Sequence, residues 1–205
     1  MSHTDGVRQA QKRKTRQALL DAALGLLAEQ SLSSLGLREV TRAAGVAPTA
    51  FYRHFRDIPD LGVALVDEAL GGLHGLVGTM LAAIGESEAR ISGAVGLIAG
   101  HVRDHPDHVR FVARERHGGV QPVREAIRLQ LDRFAHEVAS ALSVHPESAE
   151  WAPDDLLMLS ELYVDHMVMT ASALLEAEPE EAEEVARRAR RRMRLVDLGR
   201  GHWLD

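Results

Sequence analysis

Three observations predict an all-α fold: apolar residues recur at helical spacing, glycines and prolines punctuate the segments at helix-length intervals, and no stretch alternates apolar with polar as a half-buried strand would. A first helix over 11–30 carries Leu19, Leu20, Ala23, Leu26 and Leu27 at i, i+1, i+4, i+7 and i+8, one apolar stripe. A second, short helix offers Leu37, Val40 and Ala44 on one face. Gly45 supplies the positive φ that ends it, and Val46 plugs the turn. A third starts at Pro48, pre-set for a first helical turn, and aims Phe51 and Phe55 inward. Asp57 can cap a fourth helix running from 59 towards 83, which would link the N-terminal part to everything downstream. Further helices are expected over 88–105, 107–117, 123–142, 154–176 and 180–195, bounded by Pro106, Gly118-Gly119, Pro146, Pro153 and Pro179. The expectation is an N-terminal three-helix bundle with a helix-turn-helix (1–56), followed by a body of roughly six helices (57–205).

The charge is unevenly spread. Residues 1–56 hold nine Lys and Arg against four Asp and Glu, a net +5, while the whole chain of 205 residues carries −6. A polyanion is attracted to one end and repelled by the rest. Zero cysteines exclude disulfides, thiolate metal sites and cysteine nucleophiles. No run approaches the roughly 18 consecutive apolar residues of a membrane span, and the polar, basic start lacks the apolar core of a secretory signal. A cytoplasmic protein without a membrane partner is expected.

The third helix turns Thr49, Tyr52, Arg53 and His54 away from Phe51 and Phe55. A hydroxyl, a phenol, a guanidinium and an imidazole can each reach a phosphate oxygen or a base edge, as a recognition helix requires. The basic run Lys12, Arg13, Lys14 and Arg16 can reach phosphates too. An ordinary helical hairpin with a solvated polar face is the alternative, and the charge asymmetry argues against it. Arg53 can donate two parallel bonds to guanine O6 and N7, or it can make a plain phosphate contact; both readings stand.

The block from Lys12 to about Leu65, with Ala44-Gly45-Val46, Phe51-Tyr52-Arg53-His54-Phe55 and Asp60-Leu61, resembles the DNA-binding domain of the TetR family of bacterial transcriptional repressors. Ser34–Val40, Gly45–Asp57 and the later Phe111-Val112-Ala113-Arg114-Glu115-Arg116 are most similar to the branch that represses unsaturated fatty acid synthesis or desaturation genes and senses acyl-CoA. Two positions depart from the family pattern: Gly36 stands where a Ser or Thr cap is common, and Thr41 where an alanine is frequent. The resemblance implies that Tyr52 and His54 hold phosphates while Pro48, Thr49, Ala50 and Arg53 face bases. It also implies a homodimer on palindromic double-stranded operator DNA, with the last two helices as the dimer surface; Leu156, Leu159, Tyr163 and Met167 are the apolar positions expected there. Two readers would then stand about 34–36 Å apart.

The body is poor in aromatics and rich in Leu, Val, Ala, Met and glycine, including Gly71, Gly72, Gly75, Gly78, Gly93, Gly96 and Gly100. Such walls suit a flexible alkyl chain; the glycines equally suit close helix packing. The branch resemblance implies a long-chain acyl-CoA effector. Phe111, Val112, Phe134, Leu162, His166 and Met169 are expected near its chain, and Arg103, Arg110, Arg114 and Arg116 near its phosphates, unless those arginines are only salt-bridged. No resident cofactor and no metal is expected: His101, His105 and His108 have a ligand-like spacing, but Pro106 interrupts it. Asp154-Asp155 reads as helix capping, and the run 180–192 as a solvated helix in which Glu183/Arg187 and Glu184/Arg188 pair, with a subsidiary binding role as the alternative. No phosphate loop, nucleophile elbow or framed pair of acids points to an enzyme. Two other functions remain open at this point, a TetR-type regulator of drug efflux with a different hydrophobic effector, and a lipid-binding or acyl-transfer protein.

Overall fold

A computed structural model describes residues 2–82, 87–145, 148, 150–200 and 202–203. Helices dominate these residues, with no strand among them. They fall into two compact units, Met1–Ala69 with Arg110–Ile127, and Leu70–Val109 with Arg128–Asp205. Packing therefore groups the segment 58–69, and the later segment 110–127, with the N-terminal helices, whereas the change of role was expected near Asp57.

In the first unit, α1 (Ser2–Leu26) begins well before 11 and ends before 30. Its carbonyl end tightens into i→i−3 turns, Ala28 N–H to Gly25 O and Glu29 N–H to Leu26 O. A single 3-10 turn, Leu32–Ser34, comes next, and no periodicity in the sequence announces it. Then come α2 (Leu37–Ala43), α3 (Pro48–Phe51) and α4 (Ile58–Gly71). Leu19, Leu20, Ala23, Leu27, Val40, Phe51 and Phe55 are buried in this unit as expected, while Leu26, Leu37 and Ala44 are half-buried; Leu61 and Leu65 of α4 join them. Asp57 caps α4 as expected, its Oδ1 accepting the Asp60 N–H at 2.8 Å, while Asp60 reaches back to the Arg56 N–H at 2.9 Å. Gly62 is required by packing: a Cβ there would lie 2.5 Å from Leu32 Cδ2 and 2.7 Å from Val123 Cγ2.

The fourth helix is not continuous. It ends at Gly71, Gly72 forms a turn, and α5 (Leu73–Ala82) succeeds it; residue 83, where the helix was expected to end, lies outside the described residues, as does Pro146. Two glycines in succession forfeit the side-chain contacts that favour a helix and cost about 1 kcal/mol each against alanine. By length and hydropathy alone Ile58–Leu81 could cross a membrane. However, Leu61, Leu65, Val66 and Ala69 are buried inside the protein, and Asp60, Asp67 and Glu68 interrupt the stretch.

The remaining helices are α6 (Ser87–Asp104), α7 (Pro106–Glu115), α8 (Gln121–Ser143), α9 (Pro153–Glu176) and α10 (Ala182–Arg200). In the second unit α6, α9 and α10 pack pairwise around Ile91, Val95, Leu156, Leu159, Tyr163, Ala189 and Met193. One expectation fails here. Leu156, Leu159 and Tyr163 are buried in this core, so these three are not a dimer surface, while Met167 packs against the core and is only half-buried. The exposed apolar residues of α9 are instead Met158, Leu162 and Met169, with Leu195 and Leu198 on α10. At the far end of α10 the buried Arg200 bonds Asp197 at 3.2 Å and Ser148 Oγ at 3.1 Å; burial and the neighbouring Asp197 push the Tyr163 phenol pKa well above its ordinary value.

Two local expectations change. Asp154 and Asp155 sit in the first turn of α9, where their charge suits the helix dipole, but no side chain caps that helix. On α10, Glu184 bonds Arg187 at 2.6 Å and lies 3.8 Å from Arg188, while Glu183 pairs with Arg190 instead of Arg187.

Candidate nucleic-acid interface

The turn between α2 and α3 is a Schellman motif: Gly45 (φ +66) donates to Arg42 O at 3.1 Å and Val46 to Thr41 O at 3.0 Å. Gly36 starts α2 from extended backbone without a side-chain cap, and the hydroxyl of buried Thr41 donates to Arg38 O. Neither departure from the family pattern disturbs the motif. The third helix is shorter than expected. Its regular part ends at Phe51, and i→i−3 bonds from Arg53 to Ala50 O and from His54 to Phe51 O tighten the next turn. Phe55 still turns inward, because its N–H closes on Phe51 O, and the two rings meet at 5.5 Å.

With Phe51 and Phe55 buried, Pro48, Thr49, Tyr52 and Arg53 stand exposed and Ala50 and His54 half-exposed. Lys12, Arg13 and Lys14 are exposed on α1, and Arg16 lays its guanidinium over the Phe55 ring at 4.5 Å. Lys12, Arg16, Arg53 and His54 line one groove, whose lining also includes Asp60 and Asp67. Burial, and then the charges of Lys12, Arg16 and Arg53, lower the His54 pKa. The basic wall of this groove therefore concentrates positive charge that an incoming phosphate would offset. Arg8 joins the basic residues of α1 without having been expected there: it is exposed in the same i, i+4, i+8 register as Lys12 and Arg16, a spacing the sequence already displays.

The residues expected near an effector fall in both units. Phe111 and Val112 are core residues of the first unit, and Arg114 donates to carbonyls at the end of α1. Arg116, in the same unit, is half-buried. In the second unit Phe134 stacks on His74 at 3.9 Å between centroids. His74 bonds Glu137 at 2.8 Å and Gln130 at 2.7 Å. His166 is half-buried against Ala189 O at 3.3 Å, and burial lowers its pKa. Leu162 and Met169 lie on the exposed face of α9. The rings of His101, His105 and His108 stand 5.1 and 5.8 Å apart in succession, and no three His, Asp or Glu side chains converge as metal ligands among the described residues.

Residues 19–65 match the family of bacterial regulatory proteins, tetR family. Among solved structures, the fatty acid degradation regulator FadR from Bacillus halodurans is similar in fold at 14% identity (TM-score 0.70), over 86% of this chain and 94% of that one. FadR from Bacillus subtilis, in complex with stearoyl-CoA, is similar at 14% identity (TM-score 0.69), over 84% and 96%. NalD, the secondary repressor of the MexAB-OprM multidrug efflux pump in Pseudomonas aeruginosa, is similar at 18% identity (TM-score 0.66), over 89% and 96%.

Proposed function

We propose that the chain, whose residues 19–65 match the tetR family of bacterial regulatory proteins, is not an enzyme and acts in the cytoplasm as a homodimeric DNA-binding repressor of fatty acid synthesis or desaturation genes, released or tightened on its operator by a long-chain acyl-CoA. The observation that carries the DNA reading is the Schellman turn at Gly45, which presents Thr49, Tyr52 and Arg53 over the buried Phe51 and Phe55 beside a basic groove. In this reading Tyr52, His54, Lys12, Arg13, Lys14 and Arg16 hold phosphates. Pro48, Thr49, Ala50 and Arg53 face bases, with Arg53 on guanine.

One short recognition helix contacts few base pairs, so two copies on a palindrome supply the specificity. The exposed Met158, Leu162 and Met169 of α9, with Leu195 and Leu198 of α10, are the surface we assign to the partner subunit. Leu162 and Met169 thereby pass from the effector to the dimer. For the effector, Phe134 and His166 remain candidates, and α4 is the lever by which the body would change the spacing of the two readers.

Acyl-CoA as effector is supported by the sequence segments that resemble the fatty-acid branch and by the likeness in fold to a stearoyl-CoA complex. A drug-efflux regulator with another hydrophobic effector is the second reading, favoured by a comparable likeness to NalD. Anisotropy of a labelled duplex from the flanks of this gene and nearby lipid genes, titrated with oleoyl-CoA or palmitoyl-CoA, tests the proposal. A shift in affinity supports acyl-CoA sensing; binding indifferent to both, with no acyl-CoA retained in native mass spectrometry, favours the efflux reading.

A further inference from the structure

The carbonyl end of α1 and the amide that opens the Leu32–Ser34 turn are both held by two consecutive residues from the end of α7. Arg114 Nη1 donates to Leu27 O at 2.8 Å and Gln30 O at 2.7 Å, and Nη2 to Ala28 O at 3.3 Å. These carbonyls belong to the turn that follows α1, and one guanidinium fork serves all three while placing a cation just past the negative end of the helix dipole. Glu115 is almost fully buried, and its Oε1 accepts the Leu32 N–H at 2.9 Å. Its Oε2 packs against Gly118, where a Cβ would collide with it. Leu32 in turn fills the space left by Gly62 on α4. A carboxylate buried at one side of this turn and a cation at the other clamp the chain between the first helix and the helix-turn-helix.

We propose that Arg114 and Glu115 are positioning residues for operator recognition: a latch that fixes how α1 and the Leu32–Ser34 turn sit on α7, and through them where each reader stands in the dimer. The inference rests on the dimeric-repressor reading. The helix that carries the latch begins at Pro106, and its turns before Arg110 belong to the second unit. Arg114 then contributes to DNA binding without touching DNA or effector.

The test compares Arg114→Ala and Arg114→Lys with wild type on two labelled duplexes, a palindrome enriched by the wild-type protein from a random pool and one isolated half-site from it. Amide exchange is followed in parallel. The latch predicts that Arg114→Ala weakens palindrome binding at least tenfold and half-site binding less than twofold. It also predicts faster exchange within 27–34 but not in α9 or α10, and partial recovery in Arg114→Lys. Equal losses on both duplexes, or unchanged exchange within 27–34, would overturn it. If wild type enriches no palindrome, the repressor reading falls, and the exchange measurement alone still decides whether the latch holds the segment.

Discussion

Replacing Gly45 by alanine isolates backbone conformation from packing. Gly45 stands at φ +66, and a Cβ added there meets nothing within 4 Å, so any loss comes from the left-handed backbone alone. That conformation costs a residue with a Cβ roughly 1–2 kcal/mol, partly offset by the reduced entropy of the unfolded chain. A net destabilisation of about 1 kcal/mol results, or a fall of about 2–4 °C in Tm for a chain of this size. Gly25 makes the control, since it lies within α1 and a Cβ there also meets nothing within 4 Å. There the same substitution improves helix propensity and raises stability by about 0.5–1 kcal/mol. Asparagine, which tolerates the left-handed region, should recover part of the loss at position 45. Thermal and urea unfolding of the three variants give the signs directly. Matching shifts in Gly45→Ala and Gly25→Ala would refute the reasoning.

In base-by-base competition on the selected operator, Arg53→Ala should lose about 1–3 kcal/mol and relax one position, whereas a uniform loss across all variants would mean a phosphate contact. The His54 pKa is lowered in the free protein, so its stabilising contribution is full above the unfolded value of 6.5 and is lost as pH falls below it through the folded pKa. A phosphate reverses the sign for binding by favouring the imidazolium: operator affinity should rise as pH drops below about 6.5, and His54→Asn should flatten that rise in anisotropy titrations. Leu162→Glu or Met169→Glu, both at exposed positions, should yield folded monomers in sedimentation analysis; unaltered dimers would remove this face of α9 from the interface. Gly62→Ala forces a Cβ onto Leu32 and Val123 and should cost about 1–3 kcal/mol in urea unfolding.

The helix-turn-helix is legible in the sequence because its determinants are local: the stripe of Leu37, Val40 and Ala44, the glycine at the turn, and the phenylalanines one helical turn apart. Its length is not, since the tightening after Phe51 comes from i→i−3 bonds that no residue type announces. Periodicity identifies apolar stripes without saying which one meets the chain's own core. On α9, Leu156, Leu159 and Tyr163 face inward, while Met158, Leu162 and Met169 stay outside, so the residues expected at a dimer surface belong to the chain's own core. The sequence leaves Arg114 open between a phosphate contact and a salt bridge, because its partners, the carbonyls of Leu27, Ala28 and Gln30, lie more than 80 residues earlier and leave no trace in the local pattern. The break after Gly71 is written in the sequence as a glycine pair, but apolar spacing continues across it and masks the interruption.

Selection of duplexes from a random pool by the purified protein, at a stated salt concentration, tests the account most directly. A two-fold symmetric site is predicted, with half-sites about one helical turn or a multiple apart, bound by wild type with a steep salt dependence and lost or relaxed in Arg53→Ala. Enrichment of no sequence, or of a site to which Arg53→Ala binds as tightly and selectively as wild type, would contradict it.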